Sequence, residues 1–510
     1  MYPMPSLQHL APCQLITLLQ QFNTTNNHAI YPIWLNNEGQ NVIGLLPKTI
    51  FEIHSQNQLT QKQRQNCSFD DFGYCDTVIN TGSDTATNTV ANTATNKAAK
   101  GVDIGELTAV LEAYQYQQLS SRQSASQHTA NVGYQDGLMG FISYDLSAHH
   151  LANANHVANA NHMQASATPG EASYLTPHQP QLFLGHYDIY LTFENNHWQL
   201  HATTQEAIEQ MDVIQHWLTQ KLTVENKPVV NPIMLQPIWK TSDYEHAFYK
   251  VQDYLTAGDC YQINLTQCWQ GKLSNQQLVD YLPSLHQSTQ APFAGYLALG
   301  NYELLSCSPE LFFTFVKNAQ GENCIITKPI KGTRPRGQNV AADQANKNEL
   351  ASSEKDIAEN VMIVDLLRND LGKYAKTGTV KVPKLFDIES FSNVHHMVST
   401  ITATLKDNIS PWTVLFESLP AGSITGTPKK RAVEIINELE AKPRGAYCGT
   451  MGYLNFDGTG QWNVLIRTLQ ASDNNVSLWA GGGITIASDC DAEYQECFDK
   501  VGNLLKILHQ

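Results

Sequence analysis

A mixed α and β fold is what this sequence predicts, and three patterns predict it. EKDIAENVMIVDLLRNDL (354–371) carries apolar residues at 357, 361, 364 and 367, the spacing of one helix face. GLMGFISYDL (137–146) reads as a buried strand with a tight glycine approach, and CYQINLTQCW (260–269) as another strand. From about residue 240 onward, helical and strand patterns follow one another with short turns.

The elements then fall in order. LFLGHYDIYLTF (182–193) alternates as a strand, residues 204–224 form a helix, and NKPVVNPIMLQP (226–237) is a linker. Tyr244, Phe248, Val251 and Leu255 give a helix over 243–258, closed by Gly258. Residues 446–469 hold two strand-like runs around the turn FDGTGQ. Gly481, Gly482 and Gly483 read as a turn before a helix that Asp489 caps and that runs to about 508. Two biased tracts, near 76–100 (Thr/Asn/Ala) and 151–180 (opening with LANANH and VANANH), are too poor in large apolar residues to offset their own ordering entropy. They place an N-terminal subdomain at 1–230, inserts included, before a C-terminal domain at 235–510. His156 and His162 in the tandem are read as loop residues, not ligands.

Bulk properties exclude several classes. With 32 basic against 47 acidic residues the net charge is −15, and no Lys/Arg run appears, so neither nucleic acid nor an anionic membrane is an expected partner. The 10 cysteines form no C-x-x-C pair and no zinc spacing, as in a reducing compartment. No signal peptide and no apolar run of membrane-spanning length is read, so a soluble, cytoplasmic protein is expected.

Chemistry concentrates in a few places. Glu493, Glu496 and Lys500 share one helical face, away from the stripe of Phe498, Val501, Leu505 and Leu508. That is either a solvated salt-bridged face or a carboxylate pair for a hard cation beside an ammonium for an anion. Glu359 stands in an apolar helix, where a buried carboxylate needs a partner or a metal. His395 and His396 in a strand face opposite ways, so one of them at most is functional. Lys331, in a turn flanked by Gly332 and prolines, is a positioned amine, and a buried lysine can become a nucleophile. GSITGTPKK (422–430) has the wrong spacing for a phosphate loop, and Ser352 to Lys355 fits S-x-x-K without its companion motifs; both are set aside.

Together AGDCYQINLTQ (257–267), SCSPELFF (306–313), PIKGTRPRG (329–337), AENVMIVDLLRNDLG (358–372), NVHHMVSTI (393–401), PAGSITGTPKKRA (420–432), YCGTMGYL (447–454), IRT (466–468), AGGGI (480–484) and EYQECFDK (493–500) resemble, in order and spacing, the chorismate-utilising enzymes. That family includes the component I chains of anthranilate and aminodeoxychorismate synthases and the isochorismate and salicylate synthases. The resemblance runs from about 240 to the end, plus GFISYDL. It implies one large α/β protein of α+β type, with an antiparallel β-sandwich core and helices packed outside.

It also implies a site. Glu359 and Glu496, with Glu493, match positions that bind Mg²⁺. Tyr447, Arg467, Gly483 and Lys500 match positions that hold the substrate's carboxylates, and Gly332, Thr333, Ser423, Gly482 and Gln262 belong to the substrate-binding set. Lys331, Glu310 and His396 take the catalytic roles: nucleophile at ring C2, acid for the C4 hydroxyl, and neighbour of the reacting ring edge. Gln262, where water-adding members have a lysine base, and Lys331, where anthranilate synthases have alanine, imply ammonia as nucleophile and 4-amino-4-deoxychorismate as product. Anthranilate formation is the alternative, and would make Lys331 a passive substitution. A non-catalytic binding protein would be expected to lack Glu359, Glu496 or Lys331. No glutaminase motif is found, and Cys448 is read as a packed thiol, so ammonia is expected from a separate glutaminase subunit in a heterodimer. Some relatives bind tryptophan in the N-terminal half; no residue here is assigned to that.

Overall fold

The computed structural model describes residues 2–25, 30–54, 58–65, 73–79, 102–121, 133–153, 179–221, 230–391, 394–440 and 442–510. Two 12-stranded sheets, antiparallel throughout, form the core with helices outside, as the resemblance implies. Each sheet is built from both halves of the chain. In the first, Ile33–Asn37 from the N-terminal half pairs with Phe293–Leu299, Leu35 opposite Gly295. In the second, Gly137–Ile142 pairs with Thr450–Asn455, Gly140 opposite Gly452. The second seam needs close backbone approach: a Cβ on Gly137 would lie 2.1 Å from the Leu454 carbonyl oxygen.

Local chemistry sets the helices of the C-terminal half. The helix Thr241–Ala257 stops where Gly258 turns left-handed (φ 82°) and Gly258 and Asp259 donate back to the Leu255 and Tyr254 carbonyls, an ending a Cβ would oppose. Ser353 accepts from the Asp356 N–H to start Glu354–Gly372, and Asp489 accepts from Ala492 to start Cys490–Leu508. Such caps contribute about 1 kcal/mol each. The hairpin around FDGTGQ forms as expected, between Thr450–Asn455 and Gly460–Asn463.

Several expectations are corrected. The strand beginning at Gly137 ends at Ile142, because Ser143 Oγ accepts the Leu146 N–H and caps a helix, Tyr144–Asn153. The run 182–193 is two strands, Leu182–His186 in the second sheet and Ile189–Glu194 in the first. Between them Asp188 is buried against Arg64, and the chain changes sheets there. On Glu354–Gly372 the buried stripe runs through Asn360, Ile363, Val364, Leu367, Asp370 and Leu371, leaving Val361 exposed. The three glycines at 481–483 form no turn. They lie in the strand Asn475–Ile484, opposite Thr266, Leu265 and Asn264. Of the biased tracts, 80–100 and 154–178 lie outside the described residues, His156 and His162 with them.

A third apolar cluster joins the sheets: Ile33, Leu35 and Val42 from one meet Ile50, Phe141, Phe183 and Met451 from the other. Toward the C-terminal strands a polar cavity draws its lining from both sheets. Among the described residues no helix is long and apolar enough to cross a membrane.

Candidate active site

The chain crosses between the sheets twice at the same place. Tyr302–Ser308 in the first sheet leads through Pro309 and Glu310 into Leu311–Lys317 in the second. Gly460–Asn463 in the second returns through Ile466 and Arg467 to Thr468–Ser472 in the first. The crossings are laced together: Val464 N–H donates to Glu310 O (3.0 Å) and Cys307 N–H to Arg467 O (3.0 Å). Arg467 holds a left-handed backbone, φ 51°. That conformation is costly for a side-chain-bearing residue and persists where surrounding structure enforces it.

These crossings back a cavity of about 570 Å³. It collects Lys331, Gly332 and Thr333 from Ile330–Pro335, His396 from Val394–Thr404, Glu359, Ser423, Tyr447, Gly483, and Glu493, Glu496 and Lys500 from the last helix, with Glu310 and Arg467 from the crossings. Lys331 therefore lies in a strand with an irregular register, not in a turn; Gly332 takes φ 84° at the irregularity. Two expected residues lie just behind the lining. Gln262 is buried with its side chain against Gly483, where a Cβ would come within 2.3 Å of the Gln262 amide nitrogen. A Cβ on Gly482 would lie 2.7 Å from a Glu493 carboxylate oxygen. The glycines are thus read by what approaches them: strand, amide and carboxylates.

Charge in the cavity is loosely matched. Lys331 Nζ is 3.7 Å from Glu359 Oε2, and Lys355 Nζ is 4.0 Å from Glu359 Oε1. Lys500 donates to Glu496 Oε1 (2.6 Å) and to Gly481 O (2.7 Å), so the i, i+4 bridge exists, but on the cavity wall. Burial raises the Glu496 pKa, yet Lys500, Lys331 and Lys355 outweigh it and hold the carboxyl below the ordinary range. Glu493, which accepts from Ser488 Oγ at 2.8 Å, is held above it by burial and by Glu496. Burial pushes Glu310 up to about 7, against the pull of Lys331 and Lys500, and Ser423 Oγ reaches it only at 3.5 Å. The Arg467 guanidinium, largely buried, has no hydrogen-bond or ion-pair partner among the described residues.

The two histidines meet different partners, though both are buried and neither faces outward. His396 lines the cavity, bonded through Nδ1 to Thr333 Oγ1 (2.8 Å), and burial with Arg467 nearby lowers its pKa to about 4, so it is neutral near pH 7. His395 bonds Ser390 and Asp343 instead. Cys448 is a packed thiol that burial raises to about 12. Among the described residues no group of three or more His, Cys, Asp and Glu is gathered tightly enough to hold a metal unaided. Glu359, Glu493 and Glu496 nonetheless face one cavity, and lysines sit against two of them.

Lys355, Asn264, Trp479 and Arg334 also line the cavity, and sequence reasoning assigned none of them. Lys355 had a signal, standing four residues before Glu359 on one helix face. Arg334 lies within PIKGTRPRG but is tied to Glu349 (3.0 Å) and Asp356 (3.2 Å).

Residues 72–506 match the sequence profile described as chorismate binding enzyme. The chain is 42% identical over 334 residues to aminodeoxychorismate synthase component 1 of Salmonella typhimurium, covering 64% of this chain and 70% of that one. It is 38% identical over 383 residues to the Escherichia coli protein of the same name, covering 75% and 79%. It is also 38% identical over 270 residues to anthranilate synthase component 1 of Acetivibrio thermocellus, covering 52% and 53%. In fold it is similar to anthranilate synthase component I of Streptococcus pneumoniae, with a TM-score of 0.65 at 22% identity, covering 91% of this chain and 92% of that one. The family model spans most of the chain, and two relatives of 38–42% identity are covered over more than two thirds of their length: the chain belongs to the chorismate-binding enzyme family.

Proposed function

We propose that this chain aminates chorismate at C4, giving 4-amino-4-deoxychorismate, as aminodeoxychorismate synthase component 1. The observation that carries the reading is Lys331 on the cavity wall, 20% exposed, in a cavity that also holds a carboxyl raised to about 7 and an unpartnered guanidinium. The names of its Salmonella typhimurium and Escherichia coli relatives support it, and their words "component 1" support a further component, which we take to be a separate glutaminase subunit.

Chorismate is a dianion, and Arg467, Lys500, Tyr447 and the Gly483 N–H are suited to its carboxylates, the arginine through a bidentate contact. Glu359 and Glu496, assisted by Glu493, would hold Mg²⁺; hard carboxylate oxygens fit that ion. When bound, the metal supplies positive charge to a substrate carboxylate. Lys331 Nζ as free amine attacks ring C2, both ring double bonds shift around C1, C6 and C5, and the C4 hydroxyl leaves as water with the Glu310 proton. Neutral His396, fixed by Thr333, lines the same space. Ammonia then attacks C4, both double bonds shift back, the C2–N bond to Lys331 breaks, and the new ammonium returns a proton to Glu310. Two allylic steps replace one hard displacement. Gln262 stands where a water-activating lysine would be, which favours ammonia over water.

The test is to incubate the chain with chorismate, Mg²⁺ and an ammonium salt, with Lys331→Ala in parallel, and weigh the product. A product that keeps the enolpyruvyl group, lost or slowed more than about a thousandfold in the variant, is expected. Anthranilate plus pyruvate would sink the assignment within the family.

A further inference from the structure

Behind the cavity wall lies an ion pair that the reaction above does not use. Arg444 and Glu440 are 1% and 3% exposed, and meet through two hydrogen bonds: Nε to Oε2 (2.8 Å) and Nη2 to Oε1 (2.7 Å). Besides the Tyr144 ring (4.7 Å) and Cys448 Sγ (3.6 Å), which lie off the wall, the guanidinium's contacts point at the wall. Nη2 donates to the Asn264 carbonyl (2.7 Å), Nη1 to the Ile424 carbonyl (3.1 Å), and the cation lies 5.9 Å from the centre of the Tyr447 ring. Glu440 in turn accepts the Thr266 N–H (3.0 Å) and hydroxyl (2.7 Å), anchoring the pair to the strand Gln262–Lys272.

Asn264, Ile424 and Tyr447 all line the cavity, yet they belong to three separate elements: that strand, the 3-10 turn Gly422–Ile424, and the loop before Thr450–Asn455. One guanidinium reaches all three. A buried ion pair is a weak source of stability, since desolvation offsets most of its attraction. Fixed donors aimed at three pieces of one wall make better sense as a device for geometry. The Asn264 amide nitrogen, buried behind that wall, has no partner among the described residues.

We propose that Arg444, held by Glu440, is a positioning residue for chorismate binding, presetting Asn264, Ile424 and Tyr447 relative to one another. It touches no substrate, and its role rests on this cavity being the chorismate site.

The experiment uses the full chain, with chorismate affinity by calorimetry and melting temperature side by side. Arg444→Met with Glu440→Leu replaces the pair by apolar groups of similar size. It is expected to melt lower, because the Asn264 and Ile424 carbonyls and Thr266 lose their partners, and, at a temperature where both proteins are folded, to bind chorismate about tenfold more weakly. Tyr447→Phe, which weakens binding on its own, is expected to add little in that background, because its orientation is already lost. Wild-type affinity in the double variant, or full additivity with Tyr447→Phe, overturns the inference. Should the double variant not fold, Arg444→Lys keeps the charge beside Glu440 but cannot reach both carbonyls; about tenfold weaker binding supports the inference, and unchanged affinity overturns it. Arg467→Lys separates the two claims. If it weakens binding while the Arg444 variants do not, only the inference falls. If it leaves affinity intact, chorismate binds elsewhere and the inference falls with the site.

Discussion

The two ends of the sheets handle buried charge in opposite ways. In the N-terminal half Arg64 and Asp188 are both fully buried and meet in two short bonds, 2.8 and 2.9 Å. Arg64 also donates to Leu46 O, and Asp188 accepts from Thr204 Oγ1 at 2.5 Å. Nearby Tyr114, Thr49, His186 and Asp136 form a continuous chain of 2.8 Å contacts. On the cavity wall of the C-terminal half, in front of the buried Arg444–Glu440 pair, charged groups sit 20–42% exposed at 3.7 Å or as an i, i+4 bridge. There Arg467 has no hydrogen-bond or ion-pair partner among the described residues, and the raised Glu310 carboxyl meets Ser423 only at 3.5 Å. A densely paired cluster holds a fold; a loosely paired one on a cavity wall is completed by what binds. Polar groups kept short of partners in a cavity mark a binding site because the protein alone does not offset their desolvation.

The sharpest way to break this contrast is Glu310→Gln. As general acid, Glu310 must be protonated, so activity is expected to fall as pH rises through about 7. The amide cannot give up a proton, and kcat should drop by about 10²–10⁴. Stability should move the other way. The folded carboxyl titrates near 7 against an ordinary 4.5, so between those values the folded state holds a proton the unfolded chain has lost, and stability declines as pH rises. Above pH 7 the glutamine variant should be more stable than wild type, on the order of 1–3 kcal/mol, measured by urea unfolding at pH 8. A variant that is inactive and less stable would place Glu310 among structural groups instead.

Arg64→Ala should do the reverse. It leaves the Asp188 carboxylate buried without its cation, a loss of about 3–5 kcal/mol. The protein that remains folded at low temperature should keep its kcat and KM. Burial raises the Asp188 pKa, but Arg64 outweighs it and holds the carboxyl below its ordinary range. Its contribution is therefore complete above the unfolded carboxylate pKa and is lost as pH falls through the depressed folded value. The acid-side slope of stability should flatten in the variant, and a variant with normal stability but altered KM would tie this cluster to the site.

Which of these regions could be read from sequence follows from how local its constraints are. Helical spacing alone puts Glu493, Glu496 and Lys500 on one face, whereas the role of Lys331 comes from the resemblance, its glycine suggesting a turn where a strand stands. Lys355 shows in sequence only as the neighbour of Glu359 by i, i+4; its approach to Glu493 and Glu496 comes from a distant helix. Alternation over 182–193 predicts one buried face, whereas every residue from 182 to 192 is buried, and nothing local marks the change of sheets at Asp188. The glycines at 481–483 read as a turn because sequence shows the missing side chains and not the strand and carboxylates that require them missing. The Arg64–Asp188 pair joins residues 124 apart and carries no local pattern.

The finest comparison removes one hydroxyl from each cluster. Thr204 donates to Asp188 at 2.5 Å and also accepts the Ala207 N–H to cap Gln205–Glu209. Thr204→Ala removes both bonds and is expected to cost about 1–2 kcal/mol, with catalysis unchanged. Ser423 meets Glu310 at 3.5 Å, the limit of a hydrogen bond, so Ser423→Ala should shift stability by less than about 0.5 kcal/mol. Its effect should appear in turnover, because Ser423 helps hold the Glu310 carboxyl in place: a fall in kcat/KM of a few-fold, corresponding to roughly 1 kcal/mol of lost transition-state binding. Equal stability losses for the two alanine variants would mean that the long contact is as complete as the short one, and that density of pairing does not distinguish the two ends of the molecule.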